Sequence, residues 1–123
     1  LPVQTGLIYF SNSKVHLVFS YIIIFFGIIH LYFTSCLEAF DEYALWFIGA
    51  GIAIIFAGFI NLIRAKSSEK IVFTICILTN FIMTSLFVVA LFAMHKPQVY
   101  IGIMLSAIAL ILSLKKTSFI NQK

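Results

Sequence analysis

The sequence predicts an all-α integral membrane protein, one domain folded as an up-down-up-down bundle of four helices with both termini cytoplasmic. Three observations carry this. The 123-residue chain is 63% hydrophobic and 10% charged, whereas soluble domains are about half apolar and about a quarter charged. Four segments without Asp, Glu, Lys or Arg are joined by short polar links, and each approaches the roughly 20 apolar residues that a bilayer crossing takes. With four crossings, Lys14, Arg64, Lys66, Lys70, Lys115, Lys116 and Lys123 fall on one side and only Lys96 on the other, the bias that marks a cytoplasmic face.

Taken in order, Leu1 to Ser13 has no basic n-region and a short apolar run, Leu7 to Phe10. It does not read as a signal peptide, and Leu7 to Phe10 are expected to lie against the membrane surface. The first span is Val15 to Phe33, entered at Lys14, and the loop after it, Thr34 to Glu42, holds Glu38, Asp41 and Glu42. The second span, Tyr43 to Ile63, exits into the basic stretch RAKSSEK. The third runs from Ile71 to about Met94, and the link HKPQ places Pro97 where a helix tolerates it best, at its first position. The fourth span is Val99 to Leu114. Tyr32, Tyr43, Trp46 and Tyr100 gather on the side away from the basic residues, at the depth of an aromatic belt.

Each span carries a face of small and polar residues. In the first it is His16, Ser20, Ile23, Gly27, His30 and Thr34; in the third Cys76, Asn80 and Thr84; in the fourth Gly102, Ser106, Ala109 and Ser113. In the second span, Gly49, Ala53, Ala57 and Asn61 recur every fourth residue and form the expected packing ridge, and beside it Trp46, Ala50, Ala53, Ala57 and Ile60 follow the alternation of four and three seen on the first span. Small residues let helix backbones approach closely in lipid, and the seam suits either an internal contact or a second copy of the chain. Short links make consecutive helices antiparallel neighbours.

His30 lies near the outer end of the first span on its inward face. At similar depth the other helices offer Trp46 to Ala50, Leu91 to His95 and Tyr100 to Gly102, and the glycines subtract volume around the imidazole. An outward-facing ligand pocket is therefore expected from His30, Trp46, Gly102, Tyr100 and His95, closed over by Glu38 and Asp41. An ionisable residue within a span is a functional candidate because its burial is costly. The competing reading has His30 hydrogen-bonded to Trp46, Tyr100 or a backbone carbonyl and serving packing alone. His30 and His95, with the loop acids, are also the candidate ligands of a transition metal, or of a haem held by two histidines. They follow no motif spacing, His95 reads as a solvated helix end, and no metal or other cofactor is predicted.

Asn80, Thr84 and Ser106 sit near the midplane, where such groups act as interhelical hydrogen bonds worth about 0.6 kcal/mol on average or line a path for a polar solute. Asn61 is expected to pair with Thr74 or Ser113, and His16, beside Lys14, to lie at the interface. Cys36 and Cys76 fall at different depths and are expected to stay unpaired.

The net charge of +4 is explained by topology, so no nucleic-acid partner is expected. No acid lies inside a span, which removes the embedded carboxylate of proton-coupled small multidrug exporters. CxxC, HExxH, GxSxG and phosphate-cradling glycine loops are all missing. The four spans, the GIIH of Gly27 to His30 and the stretch ALWFIGAGIAIIFAGFINL together resemble the DoxX-like group of small bacterial membrane proteins. That resemblance implies a four-helix bundle in a bacterial inner membrane and carries over no catalytic residue.

The first reading is a non-enzymatic membrane protein whose helix seams support association with itself or a larger complex in the lipid bilayer, with a small-ligand pocket at His30. A small-solute transporter or channel acting as an oligomer is the second. A metal- or haem-dependent enzyme using His30 and His95 is the third.

Overall fold

A computed structural model of the chain describes residues 2–37 and 39–115, with side chains over 14–37 and 39–114. Among the described residues there are four α-helices and no strand: α1 (Pro2–Ser35), α2 (Glu42–Lys66), α3 (Lys70–Ala93) and α4 (Pro97–Lys115). Each contains a stretch long and apolar enough to cross a membrane, Lys14–Ser35, Glu42–Lys66, Lys70–Ala93 and Pro97–Leu114. The chain is a small integral membrane protein. Lys116, Lys123 and the candidate Glu38 lie outside the described residues.

The helix limits follow local chemistry. Pro2 opens α1, and no later proline interrupts it, so the helix runs on through Leu7 to Phe10. Asp41 is extended and its Oδ1 accepts the Ala44 N–H at 2.9 Å, capping α2. Extended backbone at Ser67 and at Met94 ends α2 and α3, and Pro97 begins α4.

α1 packs most closely on α2, and α3 on α4; the resulting hairpins meet chiefly through α2 with α3 and α1 with α4. We call the end carrying the α1–α2 and α3–α4 connections the turn end, and the opposite one the terminal end.

Lipid tails are as apolar as leucine, so these helices are held by close packing and polar contacts rather than by hydrophobic burial. The α1–α2 seam is built on a heptad of small residues in α2, Ala44, Gly51, Gly58 and Ala65, all buried. A Cβ on Gly51 would come within 2.6 Å of the Leu31 side chain, and one on Gly58 within 2.5 Å of the Ile24 side chain and 3.0 Å of the Ile24 backbone nitrogen. Gly27 faces them from α1, 3.0 Å from the Gly51 carbonyl oxygen by the same measure.

This corrects the expected ridge. Gly49, Ala50 and Ala53 are exposed, and a Cβ on Gly49 would meet nothing within 4 Å. Only Ala57 and Asn61 of that series are buried. At 3.6 residues per turn, a four-residue repeat rotates by about 40° per step, so the series leaves the lipid face at Gly49 and reaches the interior by Ala57. On the other helices the expected faces are the buried ones: His16, Ser20, Ile23, Gly27 and Thr34 on α1, Cys76 and Asn80 on α3, and Gly102, Ser106, Ala109 and Ser113 on α4. Ile23, Ile54, Leu105 and Ala109 form the central apolar cluster, flanked by Phe19, Phe26, Met83 and Phe87.

Candidate functional site

Two features run along the bundle axis, a buried polar network toward the terminal end and an aromatic cavity at the turn end. In the network, the Asn61 and Asn80 amides pair reciprocally: Asn61 Nδ2 donates to Asn80 Oδ1 at 2.8 Å, and Asn80 Nδ2 to Asn61 Oδ1 at 2.9 Å. Asn61 Nδ2 also donates to the Ala57 carbonyl at 2.8 Å. Exchanging its amide nitrogen and oxygen would set oxygen against two acceptors, so the orientation is fixed by its partners. Asn61 Oδ1 lies 3.0 Å from His16 Nε2, and since an amide oxygen only accepts, His16 carries a proton on Nε2. Asn80 Nδ2 reaches Ser113 Oγ at 3.0 Å, and the Cys76 thiol lies 3.4 Å from Asn61 Oδ1 and 3.2 Å from Ser113 Oγ. All four spans thus contribute to one buried cluster.

Arg64 joins it from the α2 terminus. Its Nη1 donates to the Ser67 carbonyl at 3.1 Å and Nη2 to the Ser113 carbonyl at 3.5 Å, and the guanidinium sits 4.9 Å above the Phe73 ring centroid. The charge lies where the carbonyl ends of α2 and α4 gather, the favourable end for a cation.

One expectation is corrected here. Asn61 pairs with His16 and Asn80 and reaches Ser113 only through Asn80, while Thr74 is exposed and donates to the Lys70 carbonyl on its own helix. His16 and Arg64, read by their place at the basic ends of the spans, are both buried within the bundle. The signal was present in the spacing: His16 and Ser20, Asn61 and Arg64, and Cys76 and Asn80 are one helical turn apart and share faces.

At the turn end the hairpins part around a cavity of about 400 Å³, lined by Phe26 and His30 of α1, Tyr43, Trp46, Phe47 and Ala50 of α2, Phe87 and Ala90 of α3, Met94, and Gln98 and Val99 of α4. His30 stacks nearly parallel on Phe47, with centroids 5.3 Å apart and 8° between planes. Its Nε2 is buried and has no hydrogen-bond partner among the described residues. Of the three packing partners anticipated, neither Trp46 nor Tyr100 bonds the ring, while the backbone of Phe47 does.

Of the expected pocket residues, His30 and Trp46 line this cavity; Trp46 is 73% exposed, at its mouth. Tyr100 is not in the lining: neighbouring helical residues point about 100° apart, and with Val99 turned inward at 3% exposure Tyr100 faces outward at 51%. Asp41 is spent on the α2 cap, and His95 is exposed and outside the lining. The structure therefore does not bring His30 and His95 to one cavity, and among the described residues no three His, Cys, Asp or Glu side chains gather as a metal site. Phe47, Ala50 and Met94 fall in the stretches placed at this depth from the sequence, whereas Phe26, Phe87 and Gln98 are lining residues that the sequence reading passed over. Phe26 stands one turn before His30, a relation that would have found it.

Gly102 lies deeper. It borders a small space of about 20 Å³ beside Ile54, Ala57, Asn80 and Ser106, with Phe26 and Phe87 shared between this space and the cavity. The midplane hydroxyls turn back on their own helices, Thr84 Oγ1 to the Asn80 carbonyl and Ser106 Oγ to the Gly102 carbonyl, each at 2.7 Å. Asn80 is engaged in the network, so these three residues form no polar file across the bundle.

No protein-family model matches this chain, and neither a curated protein nor a solved structure matches it.

Proposed function

We propose that the chain is a non-enzymatic protein of a bacterial inner membrane, with both termini cytoplasmic, that holds a small lipid-soluble molecule in the cavity between its hairpins. The observation that carries this reading is the His30 cavity: hydrocarbon and aromatic walls beside one imidazole. Concave, mostly apolar sites of roughly 300–1,000 Å³ with a few polar groups are where small ligands bind. The imidazole edge is the polar feature of this wall that a ligand hydroxyl or carbonyl can meet and lipid tails cannot. The outward Gly49 and Ala53 surface, where backbones can approach closely, supports association with a second copy or a larger complex.

The test is mass analysis of protein extracted in native-lipid discs. A distinct co-purifying species, near one per chain in wild type and depleted in His30→Ala, is the expected result. Bulk lipids in bulk proportions, unchanged by His30→Ala, would refute the ligand-holding reading.

A further inference from the structure

We infer that Phe87, seated in the notch left by Gly102, is the floor of the His30 cavity and sets the length of apolar chain the cavity admits, which makes the ligand class a singly polar amphiphile of limited chain length. This rests on the ligand-holding reading above and adds what selects among ligands.

Phe26 and Phe87 border both the 400 Å³ cavity and the 20 Å³ space beneath it. The lower space is large enough for about one water by volume, but a buried water needs two to four polar partners. The neighbouring polar side chains of Asn80 and Ser106 are already committed elsewhere. Two aromatic rings therefore separate the cavity from a gap that carries the path onward toward the amide pair. Phe87 is held there by the absence of a side chain at Gly102, where a Cβ would fall 2.4 Å from its Cε1 and 2.5 Å from its Cζ. Gly102 borders the lower space and not the cavity, so bulk added at Gly102 drives the Phe87 ring upward into the cavity. Removing the ring joins the two spaces. His30 stands one helical turn from Phe26, toward the turn end. A ligand whose polar group bonds His30 therefore has a short reach before its chain meets carbon.

The lone tryptophan, Trp46, lines the cavity and reports occupancy. The experiment titrates primary alcohols brominated at the far end, from butanol to dodecanol, into nanodiscs holding the full chain, and reads the saturable part of Trp46 quenching. In wild type, saturable quenching is expected up to a cut-off length and is lost beyond it. Phe87→Ala moves the cut-off to longer alcohols and Gly102→Ala moves it to shorter ones. His30→Ala weakens every length by about tenfold, the loss of roughly one hydrogen bond, with the cut-off unmoved. Circular dichroism and gel filtration establish that each variant is folded, and Phe87→Leu replaces Phe87→Ala if the latter is not. Saturable, His30-dependent quenching whose cut-off responds to neither Phe87 nor Gly102 substitution overturns the floor while leaving the binding site standing. Quenching that never saturates at any length in wild type removes the site itself.

Discussion

Replacing Asn61 and Asn80 with alanine, singly and together, isolates the amide pair that joins the two hairpins. The side chains exchange two hydrogen bonds, at 2.8 and 2.9 Å. A hydrogen bond between transmembrane helices averages about 0.6 kcal/mol and reaches at most about 1.7, so the coupling energy of the pair is expected near 1.2 kcal/mol and below about 3.4. Asn80→Ala alone also forfeits the Ser113 bond, for about 1.8 kcal/mol in all. The groups it leaves behind keep other partners, since Asn61 Nδ2 still donates to the Ala57 carbonyl and Ser113 Oγ to the Ala109 carbonyl. Asn61→Ala costs more, because it also takes the acceptor from His16 Nε2, while the Cys76 thiol keeps Ser113 Oγ at 3.2 Å; depriving a buried donor of its acceptor adds about 1–3 kcal/mol. The assay is reversible unfolding in mixed micelles of rising sodium dodecyl sulfate fraction, followed by far-ultraviolet circular dichroism. Contacting residues couple by about 0.5–3 kcal/mol, whereas independent ones add to within about 0.3–0.5. Additivity of the two single variants would refute the paired geometry.

The same unfolding assay separates the true α1–α2 seam from the apparent one. Gly58→Ala, whose Cβ meets Ile24 at 2.5 Å, should lose about 1–3 kcal/mol, and Gly49→Ala, in open space, should stay within about 0.5. Cys36 is exposed and Cys76 buried. In intact cells a membrane-impermeant maleimide should modify Cys36 alone, with Cys76 reacting only after denaturation; protection of Cys36 in cells and labelling in inverted vesicles would reverse the proposed orientation. If copies associate along the outward ridge of α2, Gly49→Leu should abolish in-cell crosslinked dimers without changing monomer stability, and persistence of the dimer would place the contact elsewhere.

Much of the architecture was legible because a bilayer leaves few alternatives: a backbone in hydrocarbon must satisfy its own hydrogen bonds, so uncharged segments of this length become helices. The faces of α1 and α4 could be read because their small and polar residues alternate at three and four, tracking the helix, and that of α3 because Cys76 and Asn80 are the polar residues of an otherwise apolar stretch. The face of α2 was misread because small residues lie all round it: the four-residue series from Gly49 drifts, the series Trp46, Ala50, Ala53, Ala57 and Ile60 keeps the helical rhythm from a start on the lipid side, and Gly51 and Gly58 were hidden among them. For the cavity, His30 and Trp46 could be placed together by depth. Tyr100 could not be excluded without knowing that Val99 takes the inward direction. The polar network was the largest omission. Lys14 and Lys66 made His16 and Arg64 look like residues of a charged membrane edge, and only the packed helices show them buried among Asn61, Asn80 and Ser113.

The most direct measurement is an experimental density map of the protein in lipid, read at the His30 cavity between Phe47, Trp46 and Phe87. A discrete, ordered molecule with a polar atom at hydrogen-bonding distance from the imidazole is the predicted result. Hairpins closed on one another, with neighbouring side chains filling the space and no bound molecule, would contradict it.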